Sequence, residues 1–372
     1  MQLIHGFSTG GAESLVKQYC ILFNKERINL LVIALHNHHS VFDQELAQNQ
    51  IKVIYIDDII DDTFRIFPGI VKKAMHRVFR KILVKKYTRE FSPDVIHYHL
   101  LLSEYVKYIN PSKETKVFLT IHSAPEKVWA KNSVRQKDKR AVEWLIKNKK
   151  MHLIALHEQM RKQVNALFNV NDTVVIRNGV IINRFVVSQS REELRNAVGV
   201  KKNSIVIGHI GRFIEVKNHK FLIDVFENYL KYNPETELVL VGVGELQSSI
   251  KSMVDNKGLS ERTHFLGMRS DIPELLHMMD VIVFPSLYEG LPVTLIEAQV
   301  AKVPCLVSDN VTKEVKISNI IHFLSIERSA DDWAREIDQI LHSKEESIVD
   351  TREWDLHKIV NQIEDIYTAD NL

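Results

Sequence analysis

Two glutamates, Glu289 and Glu297, stand with seven residues between them in the stretch Phe284-Pro285-Ser286-Leu287-Tyr288-Glu289-Gly290-Leu291-Pro292-Val293-Thr294-Leu295-Ile296-Glu297-Ala298. Glu289 lies in a turn marked by Gly290 and Pro292. Glu297 lies inside a run that reads as helix from about Pro292, whose missing N–H suits a first helical turn. The apolar residues 280–284 before the turn read as a buried strand. A strand, a tight loop and a helix start expose backbone N–H groups to which an anion can dock. A loop carboxylate and a carboxylate one turn into the helix can then grip hydroxyls on either side of a phosphate. That arrangement suits a sugar nucleotide.

Other residues have complementary chemistry. Arg212 and Lys217 bracket a short loop after the strand 204–211, which ends in Gly211. A forked guanidinium and a point-charge ammonium can clamp a diphosphate there. Gly10 and Gly11 follow the strand 2–5 and let the backbone approach a ligand, or simply turn; their spacing is not the dinucleotide fingerprint. His122 closes the strand 116–121, on the edge where open α/β sheets bind ligands; a purely structural role stays open. His97 and His99 are weaker candidates. His36, His38 and His39 lack a carboxylate or cysteine at metal spacing and read as a polar loop after a strand. No metal is expected.

The run 70–90 reads as a long helix with Val71, Met75, Val78 and Ile82 on one packed face. It carries Lys72, Lys73, Arg77, Arg80, Lys81, Lys85, Lys86 and Arg89, with no acid from 69 to 89. A solvated outer face is one reading. Attraction to anionic lipid headgroups, or to a lipid-linked pyrophosphate acceptor, is the other. The basic, tryptophan-flanked run 127–150 lacks an RNA-binding signature, so no nucleic-acid partner is expected.

These residues need a scaffold of strands that alternate with helices, which implies parallel sheets covered on both faces. A chain of 372 residues, 45% hydrophobic and 26% charged, accommodates two such domains. Arg177-Asn178-Gly179-Val180 reads as the hinge, and 354–367 as a final helix. Neither a signal peptide nor an apolar run of membrane-spanning length is expected. Two distant cysteines suit a reduced, cytoplasmic setting. The net charge of +2 hides an asymmetry: residues 1–183 hold 28 Lys and Arg against 17 Asp and Glu, whereas the remainder is acidic.

With these motifs in place, the chain resembles a retaining glycosyltransferase of family 4, in its bacterial exopolysaccharide and capsule branch. The likeness is strongest from Gly208-His209-Ile210-Gly211-Arg212 through Glu289–Gln299, Pro304–Asp309 and Thr312-Lys313-Glu314-Val315; Gly10-Gly11-Ala12-Glu13 matches the N-terminal glycine loop. The resemblance implies the GT-B fold: two Rossmann-like domains facing across a cleft, 1–180 on the acceptor side and 181–352 on the donor side. A last helix crosses back, so 353–372 completes the first domain. The sequence departs from the family in its first strand, which starts almost at Met1 and is shorter than usual, as a clipped leading strand or a misassigned start site would give.

By the same resemblance, Glu289 contacts hydroxyls of the donor sugar and Glu297 those of the ribose. Arg212 and Lys217 hold the diphosphate, with the backbone at Gly290, Leu291 and Val293. Gly10, Gly11, Gly211 and Gly267 line the donor, and His122 lies near the transferred sugar. The implied activity moves a sugar from a nucleotide donor, of UDP type, to a glycan or lipid-linked acceptor, with no cofactor and no divalent ion. The setting would be cytoplasmic, peripheral on the inner face of the membrane. Two alternatives stay open: a non-transferring, epimerase-like enzyme on the same scaffold, and an inactive partner subunit.

Overall fold

The computed structural model describes residues 1–8, 10–129, 133–343 and 346–369. They form two compact units: Met1–Asn178 with His357–Leu372, and Gly179–Leu356.

The first unit holds a seven-stranded sheet: β1 (Gln2–Ile4), β2 (Val32–Ala34), β3 (Val53–Tyr55), β4 (Val95–His99), β5 (Lys116–Thr120), β6 (His152–Ala155) and β7 (Val174–Val175). The strand order is β3-β2-β1-β4-β5-β6-β7, with every pairing parallel. Leu3, Ile4, Val32, Ile33, Ile96, Val117 and Phe118 are buried, which is why these strands read as apolar runs rather than alternating ones. The chain leaves β1 for β2 on one side and later returns to place β4 on the other. That reversal makes the carboxyl ends of β1 and β4 a switch point, where such sheets open a crevice.

The second unit repeats the plan with six parallel strands: β8 (Ile205–Ile210), β9 (Thr236–Val241), β10 (Thr263–Gly267), β11 (Val281–Phe284), β12 (Cys305–Ser308) and β13 (Ile321–Leu324). Their order is β10-β9-β8-β11-β12-β13, so the switch point lies between β8 and β11. The helices His219–Tyr229 and Ala330–His342 cover one face, with Phe226, Leu222, Trp333 and Ile337 in the core. Trp333 is fully buried, and its indole N–H donates to the Ser325 carbonyl at 3.0 Å. Truncating it to alanine should cost about 3–5 kcal/mol. A reciprocal cap opens that helix: Ser329 Oγ accepts from the Asp332 N–H, and the Asp332 carboxylate accepts from the Ser329 N–H.

The last helix, Leu356–Thr368, belongs to the first unit. Ile359, Val360, Ile363 and Tyr367 bury one stripe of it. Glu364 accepts from the Asn24 backbone at 2.7 Å and from Arg27 at 3.1 Å, and Gln2 on β1 donates to the Tyr367 hydroxyl at 2.9 Å.

The basic helix, Gly69–Phe91, departs from expectation in two ways. Its buried residues are Val84 and Thr88, whereas Val78 is 56% exposed and Ile82 42%. The stripe through Val71, Met75, Val78 and Ile82 is therefore not a core-packed face. Its cations are also partly compensated. Arg80 forks onto Asp57 at 2.6 and 2.7 Å, and Lys81 lies 3.5 Å from Glu104. His76 bridges Asp57 and Asp61. These acids come from two other helices, Ile56–Thr63 and Ser103–Ile109, beyond the reach of any local charge pattern.

Candidate functional site

In the second unit, the loop after β8 carries Gly211, Arg212 and Lys217, and the loop after β11 carries Glu289. Strand adjacency at the switch point brings them to one sheet edge. The two loops are tied by the Leu287 N–H, which donates to the Val216 carbonyl at 2.8 Å. Lys217 Nζ lies 2.7 Å from Glu289 Oε1, each side chain being 15% exposed, and 4.5 Å above the Phe284 ring. The ammonium is therefore held by a carboxylate on one side and an aromatic face on another. Arg212 is exposed and makes no ion pair among the described residues.

The platform beneath is aromatic. Phe284 stacks on His209, and Phe213 stacks on His219 with ring centroids 4.2 Å apart. His209 Nδ1 donates to the Val283 carbonyl at 2.9 Å, and burial lowers its pKa to about 4. Burial lowers that of His219 to about 2.

The helix Val293–Val300 follows with Pro292 at its cap position, where no side chain caps it. The Leu295 N–H donates to the Pro292 carbonyl at 3.1 Å, and the helix's positive dipole end lies where the loop that carries Glu289 ends. Gly290 and Leu291 are buried, and Val293 and Glu297 half-buried. The helix is locked from behind by Gln299. Its amide donates to the Leu295 and Val315 carbonyls, both at 2.8 Å, and its oxygen accepts from the Ile317 N–H and Ser318 hydroxyl. Gly267 ends β10 with φ +66°, a backbone that favours glycine, and accepts from the Gly242 N–H at 2.7 Å.

Pattern reading passed over three of these groups. Gly242 has φ +135°, and a β-carbon there would lie 2.2 Å from the Gly211 carbonyl oxygen, so it permits the β8 and β9 edges to meet. Its signal was a glycine pair, Gly242 and Gly244, at a strand end. In the loop that leads to Glu289, the Ser286 hydroxyl is buried without a hydrogen-bond partner among the described residues. Gln299 gave no signal beyond its place on the helix.

In the first unit, Gly10 caps the helix Gly11–Leu22. Its φ of −83° is ordinary; the Glu13 carboxylate lies 2.0 Å from where a β-carbon would sit, a clash that a turn of that flexible side chain would relieve. Glu13 also accepts from the Ser8 hydroxyl at 2.9 Å. Gly11 faces open space. His122 follows β5 and meets His99 at 3.0 Å, and burial lowers its pKa to about 4. His97 and His99 are wholly buried within β4, not in a loop. His36 lies 2.6 Å from Asp57.

Of the basic-helix candidates, Arg80 and Lys81 are ion-paired, and Lys85 donates to the Tyr108 carbonyl at 3.1 Å. Lys72, Lys73 and Arg77 make no ion pair among the described residues. Lys73 and Arg77 line a recess of about 760 Å³ with Arg80, His76, Asp61 and Tyr105. Ile66, Phe67 and Ile70 stand exposed at the start of this helix. Among the described residues no helix is long and apolar enough to cross a membrane, and no group of three or more His, Cys, Asp or Glu is placed to hold a metal ion.

Two family models match in tandem: Glycosyltransferase Family 4 over residues 9–184 and Glycosyl transferases group 1 over residues 190–352. An Escherichia coli protein named UDP-Gal:alpha-D-GlcNAc-diphosphoundecaprenol alpha-1,3-galactosyltransferase is 36% identical over 36% of this chain and 36% of its own. The capsular polysaccharide biosynthesis glycosyltransferase CapH of Staphylococcus aureus is 25% identical over 100% of this chain and 99% of its own. At 36% identity or above, this chain spans less than half the length of the curated relatives it matches. Anabaena Alr3699/HepE, solved in complex with UDP and glucose, superposes with a TM-score of 0.72 at 20% identity, over 98% of this chain and 94% of that one. With both domain models matched in order on two Rossmann-like units, the chain belongs to the glycosyltransferases of family 4 and group 1 and has the GT-B fold.

Proposed function

We propose that the chain transfers a sugar from a nucleotide-diphosphate sugar, with UDP as the nucleotide, to a lipid-linked glycan acceptor in exopolysaccharide or capsule synthesis. The observation that carries this reading is the Lys217–Glu289 pair at the β8/β11 switch point, with Arg212 exposed on the same edge and an uncapped helix start beside it. The donor and acceptor in the name of the Escherichia coli relative, and the name of CapH, support the substrate class and setting.

The chemistry follows from charge. When the anomeric carbon–oxygen bond breaks, its electron pair goes to the diphosphate. Arg212, Lys217 and the N–H groups at Gly290, Leu291 and Val293 stabilise that charge, a preorganised electrostatic task. The acceptor hydroxyl bonds to the anomeric carbon on the same face, and its proton passes to the departing diphosphate oxygen. The configuration is retained with no enzyme nucleophile. Glu289 and Glu297 bind hydroxyls of the sugar and the ribose rather than acting as acid and nucleophile. Gly10, Gly11, Gly211 and Gly267 allow close backbone approach. With cations supplied by side chains, the reaction proceeds without a divalent ion.

The acceptor's lipid is met by the helix Gly69–Phe91. Exposed Ile70, Val78 and Ile82 beside Lys72, Lys73 and Arg77 combine apolar surface with positive charge, as peripheral attachment to an anionic membrane requires.

A thermal-shift panel of sugar nucleotides tests the donor: at one hundred times Kd the true donor stabilises by about 2.7 kcal/mol. NMR of the product's anomeric proton tests retention. A donor that yields an epimer and no transferred sugar would refute transfer, and strict dependence on magnesium or manganese after EDTA would refute the metal-free step.

A further inference from the structure

The first unit contains a buried polar chain that, among the described residues, no charged side chain enters. Thr120 Oγ1 lies 2.7 Å from His97 Nε2, and His97 Nδ1 meets the Tyr367 hydroxyl. Gln2 Nε2 lies 2.9 Å from the same hydroxyl, and Gln2 Oε1 lies 3.0 Å from His99 Nε2. His99 Nδ1 then lies 3.0 Å from His122 Nε2. The chain runs from β5 through β4, the last helix and β1 to the loop after β5.

With the Gln2 amide oriented as it stands, the donor order follows. An amide nitrogen only donates and an amide oxygen only accepts. Gln2 therefore donates to Tyr367, whose hydroxyl donates to His97 Nδ1, leaving His97 Nε2–H to donate to Thr120. In the other direction Gln2 Oε1 accepts, so His99 carries its proton on Nε2 and accepts at Nδ1 from His122 Nε2–H. Burial keeps the rings neutral: it lowers the pKa of His97 to about 3, that of His99 well below the ordinary value, and that of His122 to about 4. A neutral imidazole has one N–H, so Nδ1 of His122 is left with a bare lone pair. That nitrogen is buried and has no hydrogen-bond partner among the described residues. An unpaired buried acceptor is costly, which favours a ligand donor at this position.

We propose that Gln2 and His99, backed by Tyr367, are positioning residues that lock His122 in its Nε2–H tautomer, so that Nδ1 is a fixed acceptor for a hydroxyl of the sugar substrate. The substrate half of this inference rests on the reading above that His122 meets the transferred sugar. The tautomer half does not. A site built to accept a hydroxyl proton discriminates strongly against an analogue that lacks it, because the acceptor is then left unpaired.

Long-range 15N–1H correlation of the histidine side chains reads the tautomers in the ligand-free protein, with His122→Leu to assign the signal. At neutral pH His122 should carry its proton on Nε2 alone. Gln2→Met keeps the side-chain length but removes the acceptor for His99, and His122 should become a mixture of tautomers. Release of UDP from UDP-glucose should then fall about tenfold in kcat, the size of one lost hydrogen bond, with KM within about twofold. Gln2→Glu still accepts from His99 and should restore both. Tyr367→Phe frees the Gln2 amide to turn over and provides a second variant with the ring in place. A proton on His122 Nδ1 in the wild type, or a tautomer unmoved in both Gln2→Met and Tyr367→Phe, would overturn the relay. If the tautomers behave as expected but His122→Leu releases UDP at the wild-type rate, the relay stands and the placement of the sugar there falls.

Discussion

Replacing Glu289 by glutamine should tighten UDP binding while it slows transfer. In the ligand-free protein, Lys217 and Glu289 lie 2.7 Å apart and neutralise each other. At that distance the gross attraction is about 1.5 kcal/mol in water and about 6 kcal/mol at an effective dielectric of 20. Both side chains are 15% exposed, so much of this is offset by lost hydration. A residue of about 1–2 kcal/mol is reasonable, and a diphosphate that recruits Lys217 must overcome it. UDP lacks the transferred sugar that Glu289 would hold, so the carboxylate offers it nothing in return. Glu289→Gln frees the ammonium and should raise UDP affinity about fivefold to thirtyfold. The full donor loses a hydroxyl contact, and kcat should fall by about 10² or more. Calorimetric titration of UDP into the wild type, Glu289→Gln, Lys217→Met and the double variant gives the coupling directly. UDP affinity that is unchanged or weaker in Glu289→Gln would refute the competition.

Four further outcomes can be measured. Arg212→Ala should lower kcat by at least about 10² and leave the urea midpoint unchanged, since its side chain is exposed and forms no ion pair among the described residues. Asp57 is penalised by burial, but hydrogen bonds from His36, Arg80 and His76 outweigh that and hold its carboxyl well below the usual range. Its stabilisation is therefore full above the unfolded value near 3.9 and is lost as pH falls towards the depressed folded value; the gap in urea midpoint between wild type and Asp57→Asn should narrow in acid. The buried histidines shift the same way: His122 and His209 titrate near 4 when folded and near 6.5 when unfolded. The unfolded chain then binds more protons, so stability should drop from about pH 6.5 to pH 4 in chemical denaturation. Sedimentation with phosphatidylglycerol vesicles should weaken with salt and in a Lys72→Ala, Lys73→Ala, Arg77→Ala variant; salt-resistant binding would indicate apolar insertion instead.

The sheets were legible because a parallel strand is buried on both faces and reads as an apolar run. The two glycine loops were equally plain, since a glycine pair after a strand marks its own position. Placement at a sheet edge was readable too: Arg212, Lys217 and Glu289 each follow a strand. Their pairing was not, because Lys217 and Glu289 are 72 residues apart and the contact depends on β8 lying beside β11. The basic helix misled for the same reason. Residues 69–89 contain no acid, yet Asp57 and Glu104 reach them from other elements. His97 and His99 read as minor because nothing local shows that Gln2 and Tyr367, 365 residues apart, meet beside them.

The Glu13 carboxylate over Gly10 has a consequence for how an anion arrives in the first unit. The helix start there already holds a negative group of its own, tethered by the Ser8 hydroxyl. A phosphate reaching this point finds an occupied berth rather than a vacant one. An anion docking at this helix start would have to displace that carboxylate, which would turn out to water as the anion takes its place. The entry rate then depends on how quickly a short side chain turns. Shortening it by one carbon, in Glu13→Asp, should change how fast ligands come and go more than how tightly they are finally held.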